Sequence, residues 1–422
     1  HEAARIGDQV VNDLLKTVGV SQHVGRFAFD FQLCAVFLEN RIHRIGHAFG
    51  NVMQIHAFHD DLIGAFFNML MNLAGGMIEK MAAKPAADDA TKVSFSYLDI
   101  GGYNYAASRY EKDGTLHPDR VIVGSETLPK NLYHNWQLVK KLPYVIGDFM
   151  WTGWDYLGEA GIGTVRYKSF KNPGQDAPII SAGCGVIDIC GKPRPEVQWN
   201  RLIWGLDHTP GIGVEPYTHA GETGSVSMWR DTDAVASWSW AGCEGKKTKV
   251  TVYSDGETAE LIVNGHSYGR KKTKEYKAVF KHVVYEPGTI TAISYDSEGK
   301  EQSRTSMKTA VGPTELRVVA DRSTLQAKTQ DLAYISIDLT GADGITKSSE
   351  DTAVTVEVAG AGTLLALGSA RPNMGENFFS DTHTTYYGKA LAVVRGGDVP
   401  GKITVTVKAK GLPAKTLELE VI

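Results

Sequence analysis

The chain has 422 residues, 42% of them hydrophobic, with 44 Lys and Arg against 48 Asp and Glu and a net charge of -4. That length supports two to four domains with real cores, and the mild acidity excludes nucleic acid as the main partner. No stretch of 18 apolar residues occurs, which argues against a membrane partner, and no charged-then-apolar leader stands at the start, so a signal peptide is absent or already removed.

In chain order, Ile6, Val10, Leu14 and Val18 share one face, the spacing of an amphipathic helix. From Phe27 to Leu73 the sequence is apolar and His-rich, without Pro and without a clear period. His43 and His47 stand at i, i+4, followed by His56, His59, Asp60 and Asp61. Two His so spaced on a helix are able to bind zinc. Positions 44–46 are Arg-Ile-Gly, without the Glu of an HExxH motif, so no metal site is assigned and surface or core histidines are the expectation. The string KPAADDAT breaks the pattern. Alternation of Val93, Phe95 and Tyr97 then predicts a strand over 92–100, ending in the loop Gly101-Gly102-Tyr103-Asn104-Tyr105.

A short helix is expected over 108–112. The apolar run Val121-Ile122-Val123 predicts a buried strand that ends in Gly124-Ser125-Glu126. A carboxylate at the end of a buried strand points to a ligand-binding face. A helix is expected over 130–141 and a second strand over 143–150, ending in Trp151-Thr152-Gly153-Trp154-Asp155. Carboxylates that hold hydroxyls beside indole faces that stack on rings are the chemistry of a sugar site. Residues 170–180 read as an exposed excursion, 181–189 as a last barrel strand with Asp188 at its end, and 195–206 as a helix.

The remainder is turn-rich, in keeping with 45 Gly in the chain. Strands are expected over 234–240, 249–254, 259–263, 276–284 and 288–294, with Asp255-Gly256 and Asn264-Gly265 as hairpin turns. A second set is expected over 315–320, 332–340, 353–358, 389–394 and 402–408. Two such modules of about 100 residues suit immunoglobulin-like sandwiches. Of the four cysteines (Cys34, Cys184, Cys190 and Cys243), none forms a CxxC pair. Free, mostly buried thiols are expected, with a Cys184–Cys190 disulfide as the alternative in an oxidising compartment.

The stretch GSET followed by LYHNWQLVKKLPYVIGDFMWTGWDYLGEAGIG resembles the nucleophile strand and following segment of family 2 glycoside hydrolases, in particular their bacterial β-galactosidase branch. The similarity runs on through SAGCGVIDICGKPRPEVQWNRLIW and, near the end, GSARPNMGENFFSDTHTTYYGKALAVVR, covering about residues 98–422. It implies an α/β plus all-β chain: a partial or irregular TIM-type (β/α) barrel over 1–212, divergent and partly helical over 1–90, then immunoglobulin-like sandwiches over 213–312 and 313–422. It implies a retaining hydrolase of terminal β-galactosides with Glu126 as nucleophile. Trp154 would stack on the sugar with Trp151 behind it, Asn104 and Asp155 would bind hydroxyls, and Tyr105 would bond the Glu126 carboxylate. The family's acid/base Glu follows an Asn upstream of the nucleophile. No Asn-Glu pair stands upstream of Glu126 here, so Glu79, Glu111, Asp113 and Glu159 are the carboxylates to weigh. The alternative is a galactoside-binding protein that has lost the acid/base. A carbohydrate is the expected partner and a homo-oligomer is compatible with the sequence. No cofactor is called for, although some relatives hold a cation near the site. The resemblance favours an exported bacterial protein, periplasmic or secreted, without excluding the cytoplasm.

Overall fold

The structure is a computed structural model that describes residues 80–167, 179–373 and 375–422. The expected helix over 6–18, the histidine constellation, Cys34, Glu79 and most of the 170–180 excursion lie outside the described residues.

The first described element corrects the sequence reading. Pro85–Phe95 is a helix (α1), where a strand was expected from Lys92. Pro85 sits at its first turn with Asp88, and Lys92 sits in its last turn, the placement that suits the helix dipole. Thr91 Oγ1 donates back to the Ala87 carbonyl at 2.7 Å, and Lys92 pairs with Asp89 at 2.8 Å. The alternating Val93 and Tyr97 are exposed and find no sheet face to cover.

Three parallel strands follow in spatial order β1-β2-β3: Ile100–Asn104, Val121–Thr127 and Val145–Met150. A 3-10 turn and helix α2 (Tyr110–Leu116) cross from β1 to β2. A second 3-10 turn and α3 (Leu132–Lys141) cross from β2 to β3. This open sheet of βα units is the partial barrel. Tyr103, Tyr110, Ile122, Leu142 and Val145 form its core. Under β2, Gly124 has no room for a side chain, because a Cβ there would lie 2.4 Å from the Tyr110 hydroxyl and 2.5 Å from Asp148 Oδ1. Asp148 accepts from Thr127 Oγ1 at 2.9 Å and Asn135 Nδ2 at 3.3 Å, yet burial pushes its carboxyl up to about 6.

The strand expected over 181–189 is also corrected. Isolated bridges, Leu157 with Ser181 and Trp154 with Ile187, and scattered backbone hydrogen bonds join this segment to the chain after β3 in place of a ladder. Gly183 has φ +77°, and a Cβ on Gly185 would lie 2.2 Å from the Asp155 nitrogen. The segment is therefore drawn against Asp155 too closely for a regular ladder. Cys184, Cys190 and Cys243 are free, so the alternative Cys184–Cys190 disulfide is not formed. Helix α4, Glu196–Ile203, packs Trp199, Leu202 and Ile203 with Leu132 of α3.

A first two-sheet unit contains β4 (Gly211–Val214), β5 (Lys247–Tyr253), β6 (Thr258–Val263), β7 (His266–Lys272), β8 (Lys277–Val284), β9 (Thr289–Tyr295) and β10 (Glu301–Lys308). One sheet has the order β4-β5-β8 and the other β10-β9-β6-β7. Asn264 and Gly265, at φ +48° and +83°, make the expected hairpin between β6 and β7, as a primed turn requires. Asp255-Gly256 does not make a hairpin: β5 and β6 belong to different sheets, so this turn crosses between them. The strand expected over 234–240 is irregular, with one bridge from Val235 to Val214. Its alternation still buries Trp238 and Trp240 completely, and their indole N–H groups donate to the Glu286 and Ser237 carbonyls at 3.2 Å.

A second two-sheet unit runs through β11 (Glu315–Ala320), β12 (Thr324–Leu325), β13 (Leu332–Thr340), β14 (Ala353–Gly360), β15 (Gly362–Gly368), β16 (Thr382–Thr384), β17 (Lys389–Gly396), β18 (Gly401–Ala409) and β19 (Leu412–Val421). Its sheets are ordered β11-β13-β17-β15 and β12-β19-β18-β14-β16. Each unit encloses its own apolar core, which is the sandwich architecture.

Two measurements check these assignments. Phe280 is 1% exposed and its neighbour Val279 is 39% exposed. In urea, Phe280→Ala should cost about 3–5 kcal/mol and Val279→Ala under about 1 kcal/mol; equal costs would put β8 in the wrong register. The folded protein keeps a proton on Asp148 up to about pH 6, whereas an unperturbed Asp loses it near 3.8. Asp148 therefore removes stability as pH rises from about 4 to about 6. Asp148→Asn should lessen this fall by up to about 3 kcal/mol, and an unchanged pH profile would contradict it.

Candidate functional site

Glu126 stands near the C-terminal end of β2, opposite Asn104 at the end of β1. Its carboxylate takes two side-chain donors. Asn104 Nδ2 donates to Oε2 at 2.9 Å, and the Tyr105 hydroxyl donates to Oε1. Ser125 Oγ donates to Asn104 Oδ1 at 2.8 Å, which fixes the amide so that its nitrogen faces Glu126. Tyr105 reaches its place through a left-handed backbone, φ +51°, and its amide donates to the Glu126 carbonyl at 2.7 Å. A non-glycine residue in that region is uncommon and needs such anchoring. Burial, reinforced by the bond to Glu126, pushes the Tyr105 phenol well above its ordinary range. It stays a donor at any physiological pH.

One partner of this centre comes from far along the chain. Trp229 Nε1 donates to the Tyr105 hydroxyl at 3.0 Å, with the two rings edge to face at 6.4 Å. Trp229 sits in an irregular stretch before β5 and is held there by its neighbour. Arg230 pairs with Asp233 at 3.2 Å and faces the buried Glu196 of α4 at 3.9 Å. Burial raises both carboxyls despite Arg230. Nothing local in the sequence marks Trp229 as a site residue, since 124 positions separate it from Tyr105.

The aromatic residues after β3 divide. The Trp151 amide donates to the Thr127 carbonyl at 2.9 Å, beside Glu126, and the Trp151–Thr152 peptide is cis. The Trp151 ring is 36% exposed, and its Nε1 donates to the Tyr156 hydroxyl at 3.1 Å. Tyr156 in turn donates to Glu159. Trp154 is 57% exposed, but its ring lies against Gly191, and no described contact joins it to Glu126. Asp155 is turned inward, where its carboxylate accepts from the Gly183 amide at 2.9 Å and the Gly185 amide at 3.4 Å and faces Arg194 at 3.6 Å. This departs from the expected hydroxyl-binding placement: Asp155 is spent on anchoring the irregular segment. Asn104, Tyr105, Glu126 and Trp151 are thus brought together, while Trp154 and Asp155 are not joined to them.

Of the carboxylates weighed as partners for Glu126, two are engaged elsewhere. Asp113 is buried against Arg109, Arg120 and the Tyr103 hydroxyl, and Glu111 pairs with Lys141 at 2.6 Å on the surface. Among the described residues, no other carboxylate is hydrogen-bonded to Glu126 or its two donors. None of them forms a cluster of three or more His, Cys, Asp or Glu able to hold a metal, and no helix among them is long and apolar enough to cross a membrane. A cavity of about 100 Å³ lies away from Glu126, where Arg194, Arg230, Asp233, Tyr386 and Lys389 meet. Its basic and acidic side chains face one another at a junction between units.

Comparison with known proteins follows the same outline. Residues 316–418 match the glycoside hydrolase family 2 C-terminal domain 5, and residues 245–303 match a domain of unknown function. The chain is 26% identical over 284 residues to the beta-galactosidase BoGH2A of Bacteroides ovatus, which covers 67% of this chain and 29% of that protein. It is 23% identical over 282 residues to a putative beta-glucuronidase of Formosa agariphila, covering 65% of this chain and 24% of that protein. A solved glycosyl hydrolase family 2 member from Bacteroides cellulosilyticus superposes with a TM-score of 0.70 at 32% identity, over 80% of this chain and 44% of that one. The chain thus spans under a third of the curated relatives and under half of the solved one. These matches place a family 2 C-terminal domain at residues 316–418 and make most of the chain similar to glycoside hydrolase family 2 proteins.

Proposed function

We propose that the chain carries the nucleophile half of a retaining glycosidase site that acts on terminal β-galactosides. The observation that carries this reading is the Glu126 carboxylate held by Asn104 and Tyr105 at the C-terminal ends of two parallel strands. Glu126 would attack the anomeric carbon and form a glycosyl-enzyme, which water then hydrolyses. The two donors aim the carboxylate, and a neutral Tyr105 spends its proton on that bond. Trp151 would offer its exposed ring to the sugar, with Trp154 further out. In this reading residues 1–212 make up the catalytic unit, and the unit at 213–312 lends it Trp229. A galactoside is favoured because the BoGH2A match is the stronger of the two curated ones in identity and in share of the chain.

A second carboxyl group must protonate the leaving oxygen, commonly worth about 10²–10⁴-fold. Substrates that differ in leaving group therefore separate the nucleophile from its partner. Dinitrophenyl β-galactoside, whose leaving group needs no proton, should release dinitrophenol with the full chain, and Glu126→Gln should lower this release roughly a thousandfold or more. Comparable turnover of phenyl β-galactoside would add a working acid. Equal dinitrophenol release by the Glu126→Gln variant would contradict the assignment of Glu126.

A further inference from the structure

Two side-chain relays of the same kind flank one apolar floor. In the first, the Trp229 indole donates to the Tyr105 hydroxyl, which donates to Glu126. In the second, the Trp151 indole donates to the Tyr156 hydroxyl, which donates to Glu159. Tyr105 and Tyr156 both pack on the cluster of Leu128, Ala182, Cys184, Met228 and Trp229. The Cys184 thiol is close enough to raise both phenols, and burial pushes the thiol itself up to about 12. Trp151 ties the second relay to the first through the bond from its amide to the Thr127 carbonyl, next to Glu126. Its ring meets Tyr156 edge to face at 5.6 Å, which leaves an indole face for a ligand.

The second relay has no evident structural purpose at its outer end. Glu159 is exposed and sits at φ +43°, a left-handed backbone that costs stability in a residue with a side chain. Tyr156 fixes one of its oxygens, which leaves the other to accept from a ligand. A charged acceptor beside an indole face binds sugar hydroxyls, and two carboxylates on one floor disfavour a third from the ligand.

We infer that Glu159, aimed by Tyr156 and Trp151, is a specificity residue of the Glu126 site: it accepts from hydroxyls of a neutral sugar and repels a uronic acid. This deepens the glycosidase reading and rests on it. It assigns the substrate class by charge, since both charged ends of the paired relays are carboxylates. Glu159 is a binding group here and takes no part in bond making.

Binding of two non-hydrolysable ligands tests the inference separately from catalysis. Phenyl 1-thio-β-D-galactoside and phenyl 1-thio-β-D-glucuronide are titrated calorimetrically into the full chain. The wild type should prefer the thiogalactoside, and Glu159→Gln should shrink that preference by about tenfold, chiefly by improving the thioglucuronide. Added salt should shrink it more in the wild type than in Glu159→Gln, where one of the two repelling carboxylates is gone, because screening acts on the repulsion. Tyr156→Phe, which keeps the charge but frees the carboxylate, should weaken the thiogalactoside and leave the salt dependence in place. A preference unchanged by Glu159→Gln, a wild type that favours the thioglucuronide, or binding of neither ligand would overturn the inference. Failure of the catalytic reading shows instead as hydrolysis that survives Glu126→Gln.

Discussion

The arrangement depends on one hydrogen-bonded carboxylate. Glu126 stands half-buried near the end of β2, where an unpartnered charge would be costly. Asn104 and Tyr105 offset that cost and fix its direction. Each donor has a support of its own: Ser125 orients the Asn104 amide, and Trp229 donates to the Tyr105 hydroxyl. The left-handed turn at Tyr105 is tolerable because its bonds to Glu126 and from Trp229 over-determine it. The centre is therefore preorganised by its surroundings, and a ligand need not order it.

Those surroundings reach well beyond the open sheet. Trp229 comes from the irregular stretch ahead of the first sandwich's central strands, and Arg230 anchors it between Asp233 and Glu196. The sandwich is thus a structural partner of the site as well as a neighbour. The second sandwich joins the junction from the other side: Lys192 donates to Ser336 at 2.5 Å, and Ser348 donates to Ser237 at 2.8 Å. Asp155 holds the intervening segment by accepting from two glycine amides. Buried charges at such a junction add little net stability, but they penalise any arrangement that unpairs them.

Much of this was legible in the sequence where local pattern and tertiary role coincide. The apolar run at Val121–Val123 forms a strand and does place Glu126 at its end. Asn264-Gly265 forms a hairpin because both residues tolerate positive φ. Reading failed where tertiary packing overrides pattern. Val93, Phe95 and Tyr97 alternate, yet a helix forms there with Pro85 and Asp88 in its first turn and Lys92 in its last. Trp238 and Trp240 alternate into a core without forming a ladder. Asp255-Gly256 has hairpin chemistry but crosses between sheets. Strands β7 and β10 were missed because they are largely polar and exposed, with no buried face to imprint a period. In the site, Asp155 was misplaced because its inward turn is set by Gly183 and Gly185, about thirty positions on, and Trp229 carried no local signal.

The most direct test of Glu126 is to trap the intermediate. The full chain is incubated with 2,4-dinitrophenyl 2-deoxy-2-fluoro-β-D-galactoside, whose fluorine slows both formation and breakdown of a glycosyl-enzyme while its good leaving group keeps formation the faster step. Proteolysis and mass spectrometry then locate the sugar. Attachment to Glu126, with none in the Glu126→Gln variant, is the predicted result. A sugar carried on any other carboxylate, or dinitrophenol release at steady turnover without a covalent adduct, would contradict the assignment.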